Sequence, residues 1–400
     1  MSSTAPARWD LVRLGWGAYV VYYLGRLNLS VAVPTLGTDR GLDGVEIGAL
    51  TAGFFWVYSV GGVVAGGLAD RYGPRLLVAL GLAGSAAANV VFGLSTSWVV
   101  LLAAWTVNGW FQSMGWAPLI GSIPRWVPAK SVDRVGATFG SSFVVGSALA
   151  LAVGGVLLSL RGLTAAFLGP AVIMSMMAML WWTVSRGTGS AESTRRQRSA
   201  EGGPATATRT LILLLPVALV GLVYVAMLVW IPLYLVDVHG LSVAAAGIAS
   251  ALLAAVGIVG PWLGGAWFAR LPRDRAPIKV APLLAGTAIS LGVVPALDSA
   301  LVPAMAALAL GSALVAATSS IVLGGFAMVR AGGRVATFGG LLALVFNLGG
   351  GVGGPVVGRV LERASWRGVF TTLAAAMMLA VAILVLPTPQ RRVKPVTDAS

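Results

Sequence analysis

GGVVAGGLADRYGPR, residues 61–75, carries Gly61, Gly62, Gly66 and Gly67 at the end of an apolar run, then sets Asp70, Arg71 and Arg75 within six positions. Glycines at helical spacing let helices approach closely. The charges that follow belong where water or a partner can meet them. Upstream, 46–69 is long and apolar enough to cross a bilayer; downstream, 74–94 is too. The same alternation of a roughly 20-residue apolar run and a short polar turn recurs along the chain. The whole chain of 400 residues is 58% hydrophobic, with a mean hydropathy of +0.90 and 10% charged residues. A soluble protein would carry about a quarter charged residues. This is an integral membrane protein.

Twelve spans are expected, at about 11–36, 46–69, 74–94, 98–122, 134–159, 163–184, 210–236, 243–268, 278–297, 300–328, 334–358 and 367–387. The polar stretch 185–209, rich in Ser, Gly, Ala and Arg, reads as a flexible linker. It divides the chain into two six-helix bundles, 1–184 and 210–387, followed by a tail, 388–400. Each half has a glycine-rich second helix ending in a basic turn, 61–75 and 260–275. Such internal symmetry suits a carrier made of two related bundles around a midplane cavity.

Of the 27 Lys and Arg, 21 fall on the side of the N-terminus and five on the other, Arg40, Arg161, Arg359, Arg363 and Arg367. That bias predicts cytoplasmic termini and a cytoplasmic linker. The net charge of +14 therefore reads as a topology signal and not as a nucleic-acid footprint. No cysteine is present, and His239 is the single histidine, which leaves no metal cluster or His-based triad to build. No cofactor, metal or enzymatic constellation is expected, and the first span is too long for a cleaved signal peptide.

One charge breaks the pattern. Arg26 lies well inside the first span, and all 13 acidic residues fall in loops, tails or span ends. A guanidinium there is costly unless it faces water, a partner or a ligand. Tyr19, Tyr22, Tyr23 and Ser30 stand at three-, four- and seven-residue steps from it, so they share its face. Asn28 points elsewhere, toward a neighbouring helix. Two readings stay open: an arginine bonded to backbone or to Asn108 and Gln112, and an anion-binding arginine in a wet cavity. The second is favoured, because a guanidinium gives a carboxylate or phosphoryl group two parallel bonds.

In WTVNGWFQSMGW, Trp105, Asn108, Gln112 and Trp116 recur on one face, as an aromatic wall with two amides. Helix packing explains them about equally well. In 222–235, Tyr224 is a candidate cavity hydroxyl and Pro232 a bend. Asn347 is an interior polar group in a glycine-rich span.

The segment Gly66–Arg75 has the form G-x-L-A-D-R-x-G-x-R, and on it the chain resembles the major facilitator superfamily. That resemblance implies a latch at the cytoplasmic ends of the bundles, with Gly66 and Gly73 at its turns. Asp70 would accept from a helix N-terminus or pair with Arg71, Arg75 or Arg134. The alternative is a solvated charged turn. YYLGRLNLSVAVP, FFWVYSVGG and NGWFQSMGWAP together resemble two sister families, the organophosphate:phosphate antiporters and the anion:cation symporters of the hexuronate and sialic acid type. In both, the arginine matching Arg26 holds the substrate anion. The departures are informative. The antiporters' second arginine, helix-2 lysine and helix-5 histidine fall on Tyr224, Gly62 and Phe143, while the symporters' carboxylates fall on Gly25 and Trp116. One cationic group and no embedded carboxylate favour uniport or exchange of a small monoanion, such as a monocarboxylate, sulfonate or phosphonate. Arg26 would anchor it, with Tyr19, Tyr22, Tyr23, Asn108, Gln112, Trp116 and Tyr224 around it. The alternatives are an efflux or lipid-like-substrate carrier, an organophosphate antiporter, and a receptor that binds without transport. A monomer in a bacterial inner membrane is expected.

Overall fold

The computed structural model describes residues 8–186, 207–257, 259–260, 280–325 and 335–385. Most of the expected linker, the tail, most of the second basic turn and the side chain of Arg134 lie outside the described residues.

The described chain is helical throughout. Its elements are α1 (Trp9–Arg40), α2 (Gly44–Leu94), α3 (Trp98–Gln112), α4 (Trp116–Ile120), α5 (Ile123–Trp126) and α6 (Val132–Val184), then α7 (Ala207–Asp237), α8 (Val243–Val256), α9 (Ala281–Val293), α10 (Leu301–Ser320), α11 (Val335–Arg363) and α12 (Trp366–Val385). Among the described residues, six helices are long and apolar enough to cross a membrane: Gly44–Leu94, Thr138–Val184, Leu213–Asp237, Leu301–Leu323, Gly340–Arg363 and Trp366–Val385. The first two, 51 and 47 residues long, far exceed one crossing. Each is interrupted by a glycine in a positive-φ conformation, Gly73 (φ 76°) and Gly162 (φ 79°). Glycine reaches that region without steric cost, and Pro74 restarts the helix with its φ already set. These two breaks fall where the sequence separates spans 46–69 from 74–94 and 134–159 from 163–184. α1 stands apart from the six, because its middle carries Tyr19, Tyr22, Tyr23, Arg26 and Asn28.

α2 starts with a capping box. The Glu46 backbone N–H donates to the Asp43 carboxylate at 2.7 Å, and the Asp43 N–H donates to Glu46 Oε2 at 3.1 Å. Asp43→Ala should cost about 1 kcal/mol. It would read as a lower midpoint in thermal unfolding of the detergent-solubilised protein, with binding unchanged.

The two halves meet closely at the end carrying residues 41–45. There α2 lies on α11 with almost no side chain between them. A Cβ at Gly48 would stand 2.7 Å from the Gly354 carbonyl carbon and oxygen, and one at Gly44 would stand 2.9 Å from the Gly358 oxygen. The Val45 N–H donates to Glu362 Oε1 at 3.0 Å, and Trp56 Nε1 donates to the Leu348 carbonyl at 3.2 Å. Near the same end α6 meets α8 through Gly155 and Gly247. At the opposite end, Asp70 is exposed and has no hydrogen bond or ion pair among the described residues. Arg75 instead donates from Nε to the Trp182 carbonyl and stacks 4.0 Å from that indole. Arg71 lies over Tyr72, its own neighbour in sequence.

Candidate functional site

Arg26 is 7% exposed and lies in the middle of α1. Three neighbours define its place. Its Nε donates to Gln112 Oε1 at 3.2 Å, and its guanidinium carbon lies 4.6 Å from the ring centroids of both Tyr23 and Tyr58. Two aromatic faces hold a cation by their quadrupoles and leave the edge of the guanidinium free for hydrogen bonds. Phe54, one turn before Tyr58 on α2, is stacked on it with an interplanar angle of 9° and lies 5.8 Å from Arg26. Nη2 is buried and has no hydrogen-bond partner. An orphaned charged donor of this kind is costly unless a ligand or water meets it.

Behind Arg26 runs a polar network. Gln112 Nε2 donates to the Tyr22 carbonyl (2.9 Å) and to Ser85 Oγ (2.8 Å), which turns its Oε1 toward Arg26. The Ser85 hydroxyl donates to Asn108 Oδ1 at 2.5 Å, and Asn108 Nδ2 donates to the Gly25 carbonyl at 2.8 Å. Asn89 donates to that same carbonyl at 3.2 Å and accepts from Asn28 at 2.8 Å. The Leu29 N–H, four residues after Gly25, donates to the Asn28 side chain. The backbone flanking Arg26 is thus clamped by α2 and α3. Asn28 does reach a neighbouring helix, as its position on α1 suggests.

The remaining named residues fall into separate groups. Tyr19 packs on Trp116 with centroids 4.9 Å apart and on Tyr23 at 5.6 Å. The Tyr22 hydroxyl donates to the Val78 carbonyl at 3.0 Å, inside the first half and away from the arginine's free edge. Asn108 and Gln112 are fully buried, and their amide nitrogens are spent on protein acceptors. Asn347 returns its amide hydrogen to the Ala343 carbonyl of its own helix. Pro232 lies within α7, as does Pro216. Two members escaped the sequence reading. Tyr58 was signalled by Phe54 at i−4, an aromatic pair on one face of α2. Ser85 carried no signal, because a single serine in an alanine-rich span resembles filler.

Tyr224 belongs to the other half, on α7. It lies within electrostatic reach of Arg26 and Tyr23, and its ring packs on Phe346 at 5.7 Å. It also lines a cavity between α6, α7, α8 and α10 that holds about 590 Å³ of space free of protein atoms, part of it open to solvent. Phe143 lines that cavity too. A Cβ at Gly25 would instead meet the Met174 thioether and Asn89 inside the first half, so that position does not face the cavity. Among the described residues, no group of three His, Cys, Asp or Glu could hold a metal ion.

An all-helical membrane protein with a buried cation on α1 and a cavity between α6, α7, α8 and α10 defines the class. Residues 15–338 match the profile of the Major Facilitator Superfamily, and the chain belongs to that family. Among curated relatives, it is 29% identical over 162 residues to the probable hexose phosphate transport protein of Chlamydia trachomatis, covering 40% of this chain and 36% of that protein. It is 29% identical over 174 residues to the phosphoglycerate transporter protein of Salmonella typhimurium, covering 42% and 38%. The matches span little more than a third of these relatives' own length. Among solved structures, a bacterial homologue of the human lysosomal transporter Spinster, inward-facing and unoccupied, superposes with a TM-score of 0.75 over 96% of both chains at 19% identity, which shows the fold. The chain is a multi-span membrane protein of the major facilitator fold, resembling transporters of phosphorylated sugars and related esters.

Proposed function

We propose that the protein is an alternating-access secondary transporter of a small organic anion, with Arg26 as its anchor. The observation that carries this reading is the buried Nη2 of Arg26, held between two tyrosine rings with nothing to donate to. The bilayer-spanning chain is proposed to form two six-helix bundles, 1–184 and 210–387, with termini and linker in the cytoplasm of a bacterial cell. Tyr19, Tyr23, Tyr58 and Trp116 would shape the first-half wall and Tyr224 the second. Gln112 and Asn108 would hold the arginine from behind, with Tyr22 supporting α1. Gly66, Asp70, Arg71, Gly73, Arg75 and Arg134 would close the cytoplasmic end when the cavity faces outward. Uniport or exchange fits the residues better than proton symport, since no carboxylate or histidine faces the guanidinium among the described residues. A monoanion fits one cationic group better than a dianion.

A second reading is exchange of a phosphate ester, favoured by what the matching relatives are described as carrying. Thermal stabilisation separates the two, because a ligand that binds the native state raises its apparent stability. The purified protein and Arg26→Ala should be compared across monocarboxylates, sulfonates, phosphonates and phosphate esters. Stabilisation by a monoanion in the parent and none in the variant is the expected result. Stabilisation by phosphate esters alone replaces the monoanion with the second reading. An identical response in the variant removes Arg26 from the site.

A further inference from the structure

The cavity lined by Tyr224 differs in chemistry from the surroundings of Arg26. Its walls are Phe143, Leu151, Met227, Ile231, Leu253 and Val315, with further small and apolar residues between them. Among the described residues, no charged or amide side chain lines it. Its polar points besides Tyr224 among the described residues are three serines, and they are not equivalent. Ser147 returns its hydroxyl to the Phe143 carbonyl at 2.7 Å. Ser250 is 5% exposed, and its Oγ has no hydrogen-bond partner. Ser312 is partly exposed at the cavity wall. Continuity with the arginine runs through Tyr224, which lines the cavity and lies within electrostatic reach of Arg26. Gly146, beside Ser147, packs directly on Tyr23.

We infer that this cavity is a subsite for an apolar substrate body, an aryl or branched alkyl group bearing one uncharged oxygen that Ser250 Oγ meets. This rests on the reading of Arg26 as the anchor of the anionic head. Apolar walls with a small number of placed polar groups are how small-molecule sites select a body. A sugar body is disfavoured for the same reason. Its several hydroxyls would leave water for walls that are mostly carbon, with Tyr224 and three serines as their polar points and one of those serines, Ser147, already bonded to its own helix. The head would therefore be read on α1 and the body on α6, α7, α8 and α10. Substrates with the same head would be sorted by the second half alone.

Calorimetric titration of the purified full-length protein with four carboxylates tests this: propanoate, 4-phenylbutanoate, 4-oxo-4-phenylbutanoate and gluconate. In the parent, the two phenyl compounds should bind at least about tenfold more tightly than propanoate, as apolar burial predicts. Gluconate should gain nothing over propanoate. Ala316, on α10, also lines the cavity; Ala316→Trp, which fills it, should remove the phenyl advantage and leave propanoate unchanged. Ser250→Ala should remove any preference for the 4-oxo compound. Gluconate binding more tightly than 4-phenylbutanoate in the parent would overturn the inference without any variant. So would an undiminished phenyl advantage in Ala316→Trp. The anchor is tested separately by the neutral 4-phenylbutanamide. If it binds the parent and Arg26→Ala alike, and as tightly as the carboxylate, while Ala316→Trp blocks it, the subsite stands and the anchor fails.

Discussion

Gly358→Val is expected to abolish transport while leaving the helices intact. The seal at the 41–45 end is made by backbone against backbone, so a side chain inserted there has nowhere to turn. A Cβ at Gly358 would overlap the Gly44 carbonyl, and at Gly48 it would press on Gly354 and Pro355 Cα at 2.7 Å. Those neighbours are main-chain atoms that no rotamer change can move, and packed interfaces respond by switching rather than stretching. α2 and α11 would have to separate at that end, which biases the protein against its closed arrangement there. The chain has no cysteine, so spin labels can be placed at will. Labels at Thr38→Cys and Ser365→Cys, both exposed, report the separation. Gly358→Val should shift the distance distribution outward by several ångströms, roughly one side-chain layer. Gly37→Ala, whose added Cβ meets only the Leu42 carbonyl at an ordinary 3.5 Å, should leave both distance and transport unchanged. A Gly358→Val protein with parental distances and flux would show that the seal does not gate.

Asn108→Leu is expected to have the next largest effect, on stability and binding together. Leucine removes the donor to the Gly25 carbonyl and the acceptor of the Ser85 hydroxyl, both buried. Leaving such groups without partners costs about 1–3 kcal/mol each. Some of the loss at Gly25 is absorbed by Asn89, which holds the same carbonyl at 3.2 Å. A fall of several degrees in the thermal midpoint follows. Ser85→Ala probes positioning with a smaller stability loss, because it withdraws one of the two acceptors that orient the Gln112 amide. With Gln112 freer to flip, Arg26 should bind a monocarboxylate about tenfold more weakly. The preference among apolar bodies should be unchanged, a split that general loosening of the bundle would not produce. Equal affinity in Ser85→Ala and parent would show that Gln112 is held well enough by the Tyr22 carbonyl alone.

What the sequence determined by itself is what solvent transfer determines. Runs of about 20 apolar residues must span, and the charged turn at 70–75 must end one. That Gly73 and Gly162 make the breaks, each at positive φ, is what the structure adds. Arg26 was legible as a candidate because its cost in an apolar medium is large and no acidic residue well inside a span could offset it. Only the tertiary structure decided which polar groups of a helical face are spent on protein partners. Periodicity places Tyr22, Asn108 and Gln112 on the arginine's side of their helices, but a face more than 100° wide touches both a neighbouring helix and open space. Here the amides turn inward to α1 and to Ser85, and the Tyr22 hydroxyl turns to Val78. Tyr58 and the second-half serines come to the site from distant stretches of chain. Their placement depends on how α2, α8 and α10 pack, which is a sum of many close contacts that no single stretch of sequence carries.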